Sequence, residues 1–131
     1  MVANYARSQY QESQVQTTPE HLVVMLYDGA IFALKRAIHG IEQKDLSMQS
    51  RGITKAQDIL CHLMGTLDKS AGPVAEQLES IYRYCLKELI LAHGNDDAPG
   101  VQAVADLLQP LRESWAEAER IVAAERAGLT A

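Results

Sequence analysis

The sequence predicts an all-α fold: an antiparallel, up-and-down four-helix bundle with an extended N-terminal arm. Three observations carry that prediction. Apolar residues recur at steps of three and four along four long segments, the spacing that places side chains on one face of a helix. The links between those segments are short and polar or contain Gly and Pro, so successive helices must be antiparallel neighbours. No β-type alternation, internal repeat or low-complexity tract interrupts the pattern. Residues 1–17 are read as a flexible arm and 18–131 as one bundle domain.

The arm is polar and rich in Gln and Ser. Its Tyr5, Tyr10 and Val15 fall at five-residue intervals, a spacing that suits neither a helix nor a strand face. The first helix, expected over about Pro19 to Glu42, opens with Thr18 as cap, Pro19 at the first helical position and Glu20 near the positive end of the dipole. Leu22, Leu26, Ala30, Ala33, Ala37 and Ile41 form one stripe, and Val23, Tyr27, Ile31, Leu34 and Ile38 a second. A helix apolar on so many sides must sit between several partners or carry an unusually sticky side. Gly29 costs about 1 kcal/mol against Ala in mid-helix, and is read as a point of close backbone approach.

The second helix is expected from about Leu46 to Lys69, with Ile53, Ala56, Leu60, Leu63 and Leu67 inward and Gly52 weakening its first half. Gly72-Pro73 then supplies a stop and a start. The third, about Pro73 to Ala92, is expected to bury Val74, Leu78, Ile81, Cys85 and Leu89, with Tyr82, Leu86 and Ile90 alongside. His93 to Pro99 reads as a loop. The fourth runs from about Gly100 to Ala127 through Val101, Val104, Leu108, Leu111, Trp115, Ala118 and Val122, and Pro110 is expected to kink it.

Charge narrows the function classes. A net charge of −5 in 131 residues argues against nucleic acid and against acidic membrane surfaces. The longest strictly apolar run is Leu22 to Leu26, far short of the ~20 residues of a membrane span, so no stable membrane insertion is expected. With no basic-then-apolar N-terminus, no signal peptide is expected. Cys61 and Cys85 in helical stripes suggest reduced, buried thiols of a cytoplasmic protein, and a disulfide is the minor alternative.

Catalytic signatures are weak. Cys61 and His62 are adjacent, so they project about 100° apart on a helix and cannot share a tetrahedral metal. The four histidines show no paired ligand spacing, the chain has no Glu-x-x-His element of a di-iron bundle, and it has no glycine-rich phosphate loop. No metal, cofactor or catalytic residue is assigned. Tyr82 and Tyr84 stand two residues apart, about 200° on a helix, so both cannot face inward. One of them is exposed or at an interface, where aromatic residues serve as binding anchors.

Several segments then resemble the flagellin export chaperone family, FliS, in order and at its spacing over about residues 5–118. They are Tyr10-Gln11 and Val15 in the arm, Thr17-Thr18-Pro19-Glu20, Met25-Leu26-Tyr27-Asp28-Gly29-Ala30, Lys55-Ala56-Gln57-Asp58-Ile59-Leu60, Tyr82-x-Tyr84, Asn95-Asp96 and Leu111-Arg112-x-x-Trp115. Three features depart from the family: a compact helix start, Lys87-Glu88 where many members carry two arginines, and Pro110. The resemblance implies a cytoplasmic, non-enzymatic chaperone that binds the disordered C-terminal segment of flagellin one to one, prevents premature polymerisation and delivers it transiently to the membrane protein of the flagellar export gate. It also implies an arm that covers the binding groove when flagellin is absent, a role falling to Tyr10 and Val15, with Tyr10 also contacting the gate. The groove is expected to be built from Ile53, Ala56, Gln57 and Leu60 with Leu78, Tyr82 and Tyr84. The surplus apolar surface leaves room for a homodimer without client. Two other readings stay open: another helical secretion chaperone or adaptor, and a small helical metal-binding enzyme. A continuous apolar groove favours a chaperone, and convergent polar groups or a bound metal favour the enzyme.

Overall fold

A computed structural model describes residues 18–128, and the arm residues Tyr10 and Val15 lie outside them. Within that span the chain forms four α-helices and no strand. They are α1 (Pro19–Glu42), α2 (Leu46–Gly65), α3 (Pro73–Gly94) and α4 (Ala98–Arg126). A single 3-10 turn, Lys69–Ala71, precedes α3.

The helix starts follow from local chemistry. Thr18 Oγ1 accepts a hydrogen bond from the His21 amide at 3.1 Å, Asp45 Oδ1 accepts from the Met48 amide at 3.1 Å, and Asp97 Oδ1 accepts from the Gly100 amide at 3.0 Å. Each satisfies an N–H that the helix itself leaves orphaned. Before α3, Gly72 takes that place with φ 98°, a conformation natural to glycine, and Pro73 fills the first helical position.

Two boundaries differ from the sequence reading. The second helix ends at Gly65 rather than Lys69, because Thr66 turns its hydroxyl back to the Leu63 carbonyl at 2.8 Å and Asp68 caps the 3-10 turn. The presumed loop over 93–99 shrinks to residues 95–97: α3 runs on to Gly94 and Asp97 starts α4 two residues early. Pro110 lies inside α4, which continues through it, with Pro110 itself exposed.

Packing runs around a square. Helix α1 contacts α2 and α4, and α3 contacts the same two helices, so α1 faces α3 only across the diagonal. The core gathers Leu26, Tyr27, Leu34, Ile53, Leu60 and Leu89 among others. The Tyr27 and Tyr82 hydroxyls meet at 2.5 Å on the diagonal. This is the partner that two buried phenols require in an apolar interior. Burial, and then the Tyr82 hydroxyl, hold the Tyr27 phenol well above its ordinary range; burial also raises Tyr82.

Close backbone approach occurs at Gly52 and Gly40. A β-carbon added to Gly52 would lie 2.5 Å from the Ala33 carbonyl oxygen, and one on Gly40 would lie 2.5 Å from the Gln49 amide nitrogen. The glycine that looked like a weakness of α2 is therefore where α2 meets α1. Three further residues depart from expectation. Val74 and Ile90 point to solvent, and Cys61 is exposed rather than buried. Cys61 and Cys85 are both free thiols, and burial, followed by Glu88, pushes the Cys85 thiol up to about 11.

Candidate functional site

The described residues leave several large apolar side chains in water, and most of them collect along grooves between neighbouring helices. The groove between α3 and α4 is the most anchored. On α3, Tyr84, Glu88 and Leu91 stand at i, i+4 and i+7 and so share a face. On α4, Gly100, Ala103 and Leu107 stand at i, i+3 and i+7 opposite them. Tyr84 is 54% exposed, Leu91 51% and Leu107 38%. The trough between them exists because its α4 side is built of small residues. A β-carbon on Gly100 would approach the Ala92 methyl to 3.2 Å and Asp97 Oδ2 to 2.6 Å. Glu88 accepts a hydrogen bond from the Tyr84 hydroxyl and raises that phenol's pKa.

A second groove lies at the end of the bundle where α1 begins. Val23, Leu67, Val74, Leu78 and Trp115 line it. It opens beside Pro19, the first residue of α1 and thus the point where the arm joins the bundle. The third groove, between α1 and α2, has a floor of small residues, Gly29, Ala33 and Gly52, under the exposed ring of Phe32.

The expected site residues are divided by this geometry. Ile53, Ala56 and Leu60 are fully buried in the α1–α2 packing, and Tyr82 is fully buried against Tyr27. Ile53, Ala56 and Leu60 line none of the three grooves and support the groove-forming helices from within, whereas Tyr82, though buried, lies in the floor of the end groove. Leu78 is half-buried and lines the end groove. Gln57 is half-buried on α2 and lines none of the three grooves. Of the Tyr82-x-Tyr84 pair, Tyr84 is the exposed member and lines the α3–α4 groove. The reading from sequence missed Phe32, Leu91 and Leu107. A signal was there for Leu91: residues 89–92 are apolar without break, which no single helix face can bury.

Among the described residues no group of three or more His, Cys, Asp or Glu is placed to hold a metal ion, and no helix is long and apolar enough to cross a membrane. The sequence pattern of the family described as "Flagellar protein FliS" matches residues 2–122. The chain belongs to the FliS family. Among FliS relatives, the flagellar secretion chaperone FliS of Salmonella typhimurium is 32% identical over 113 residues, covering 85% of this chain and 84% of its own. The protein of the same name from Bacillus subtilis is 28% identical over 110 residues, covering 83% and 82%. The flagellar secretion chaperone FliSB of Pseudomonas aeruginosa is 26% identical over 121 residues, covering 88% and 96%. This chain is therefore a member of a flagellar chaperone family on an all-α bundle.

Proposed function

We propose that this protein is a cytoplasmic export chaperone that holds the disordered C-terminal segment of flagellin one to one, keeps it from polymerising early and brings it to the flagellar export gate. The observation that carries the reading, beside family membership, is the α3–α4 groove walled by three partly exposed apolar side chains, Tyr84 and Leu91 on one side and Leu107 on the other. Such a groove suits an amphipathic segment that folds into a helix as it docks, presenting residues at i, i+3, i+4 and i+7. Ordering a disordered segment consumes part of the interaction free energy, so a long surface is needed rather than a single pocket.

On this reading Tyr84, Leu91 and Leu107 touch the client, and Leu78 does so in the end groove. Ile53, Ala56, Leu60 and Tyr82 act through the packing that sets the groove walls, and Gln57 is left as a flanking contact. The arm, through Tyr10 and Val15, is assigned the cover of the apolar surface in the absence of client; Tyr10 is further assigned contact with the export gate. No cofactor and no catalytic step are part of this function.

Calorimetric titration with the C-terminal segment of the host's flagellin, against its N-terminal segment as control, tests the proposal. Saturating one-to-one binding of the C-terminal segment alone, with a negative heat-capacity change from apolar burial, is the expected outcome. Heat from neither segment removes flagellin as the client.

A further inference from the structure

The α1–α2 groove carries a different chemistry from the client groove on the other side of the bundle. Its apolar part is the exposed Phe32, the half-buried Met48 and a floor of glycine and alanine. Every charged residue lining it is a cation: Arg36 from α1, and Arg51 and Lys55 from α2. Arg36 and Arg51 are exposed. This cationic rim stands on a chain whose net charge is −5. In the α3–α4 groove the charged lining residues are Glu88 and Asp97, with no cation. Because α1 and α2 are adjacent on one side of the square and α3 and α4 on the other, the two grooves face away from each other.

We infer that the α1–α2 groove is a second docking surface, for an acid-flanked amphipathic helix of a protein other than the client. The inference goes beyond the chaperone reading: it needs only the α1–α2 geometry, and it adds a partner that binds while the client groove is occupied. The spacing of the groove supports a helical occupant. Gly29, Phe32, Ala33 and Arg36 follow i, i+3, i+4 and i+7 on α1, and Met48, Arg51, Gly52 and Lys55 follow the same series on α2. A helix laid in this trough sets apolar residues against Phe32 and Met48, and carboxylates on its two edges reach the guanidinium groups of Arg36 and Arg51. Arginine forms paired hydrogen bonds to carboxylates in a fixed geometry, so the rim selects as well as attracts. Opposite rims prevent one segment chemistry from serving both grooves, since like charges across an interface are penalised.

The test uses the full chain and two synthetic helical peptides with the same leucines at i, i+3, i+4 and i+7, flanked by Glu in one and by Lys in the other. Fluorescence anisotropy should give the Glu-flanked peptide an affinity about tenfold higher at low salt, from pairs of modest strength with Arg36 and Arg51. The preference should shrink at high salt. Arg36→Glu with Arg51→Glu should abolish or invert it, with helicity checked by circular dichroism. Phe32→Ser should weaken the Glu-flanked peptide, and Tyr84→Ala should leave its binding unchanged. Protein saturated with the flagellin C-terminal segment should still bind it. Equal affinity for both peptides, sensitivity to Tyr84→Ala, or displacement of the peptide by the flagellin segment would overturn the inference. Titration of the flagellin segment alone reads the chaperone proposal separately, so failure of either is recognisable.

Discussion

Replacing Gly52 by alanine should destabilise the bundle, although in an ordinary helix the same change stabilises. The two effects oppose each other and the structure decides between them. In a helix interior Gly→Ala gains about 1 kcal/mol of propensity. At Gly52, however, the new β-carbon would sit 2.5 Å from the Ala33 carbonyl oxygen, 2.8 Å from the Ala37 amide nitrogen and 2.9 Å from the Ala37 β-carbon. Two of the three obstacles are backbone of a packed helix, which cannot swing aside as a side chain can. Either α1 and α2 move apart, loosening Ala33, Ala37, Ile53 and Ala56, or the contacts stay strained. Overpacking of this kind costs about 1–3 kcal/mol and occasionally more. With backbone on the receiving side we take the upper part of that range, so the net loss is about 1–2 kcal/mol after the propensity gain.

Gly65, at the end of α2, is the internal control, because nothing lies within 4 Å of the β-carbon it would acquire. Gly65→Ala should be stabilising by up to about 1 kcal/mol. Urea unfolding followed by circular dichroism measures both. A slope near 1–2 kcal/mol per molar puts the Gly52→Ala midpoint roughly 1 M lower, and the Gly65→Ala midpoint higher. Gly52→Ala matching Gly65→Ala in sign would refute the argument that α1 and α2 are held at backbone contact.

Further predictions separate binding from folding. Tyr84→Ala should weaken the flagellin C-terminal segment by roughly 5–30-fold, in line with loss of an aromatic anchor, while leaving the urea midpoint nearly unchanged. Ile53→Ala should do the reverse, lowering stability by about 2–5 kcal/mol as a core cavity opens, with client affinity retained at temperatures where the chain stays folded. Tyr82→Phe leaves the Tyr27 hydroxyl without its 2.5 Å partner and should cost about 1–3 kcal/mol, seen as a lower thermal midpoint. Stability should also fall in alkali. Tyr27 and Tyr82 have folded pKa values raised above the ordinary 10.0, and Cys85 is raised from 9.0 to about 11. From about pH 9 the unfolded chain therefore loses protons that the folded chain keeps. Unfolding free energy then declines as pH rises, having been fully present below pH 9. A pH series of urea midpoints checks this, and Tyr27→Phe with Tyr82→Phe should flatten the slope above pH 10.

The bundle was legible because its elements are written locally. Thr18 caps, Gly72-Pro73 punctuates, and the stripes through Leu26, Leu60 and Leu89 keep helical period, so helix number and order follow without tertiary information. The groove was legible only in part. Tyr82 and Tyr84 had to part company, and the chain could show that one was exposed but not which. Burial of Ile53, Ala56 and Leu60 depends on Gly52 letting α2 sink onto α1, a fact about two helices 19 residues apart at Ala33 and Gly52. Val74 and Ile90 lay near the inward stripe of α3 yet face water, because α3 packs on α2 and α4 and lies across the diagonal from α1.

The extensive apolar surface of α1 pointed towards binding, and the structure relocates that argument. Most of α1 is consumed by α2 and α4, which leaves Phe32 as its one large, mostly exposed apolar side chain among the described residues. The unsatisfied surface sits instead where small residues thin a seam between helices: Gly100 and Ala103 beside Tyr84 and Leu91, and Gly29 and Ala33 beside Phe32. Small residues let two helices approach, and the same lack of side chains leaves a trough above the seam that larger neighbours can only wall. A bundle built this way need not loosen to bind. Its core stays closed around Tyr27 and Tyr82, and its partners complete the outer layer that its own side chains leave open. Client-binding defects should therefore follow substitutions on the groove walls and leave helix content intact, whereas core substitutions should affect the client only in proportion to unfolding.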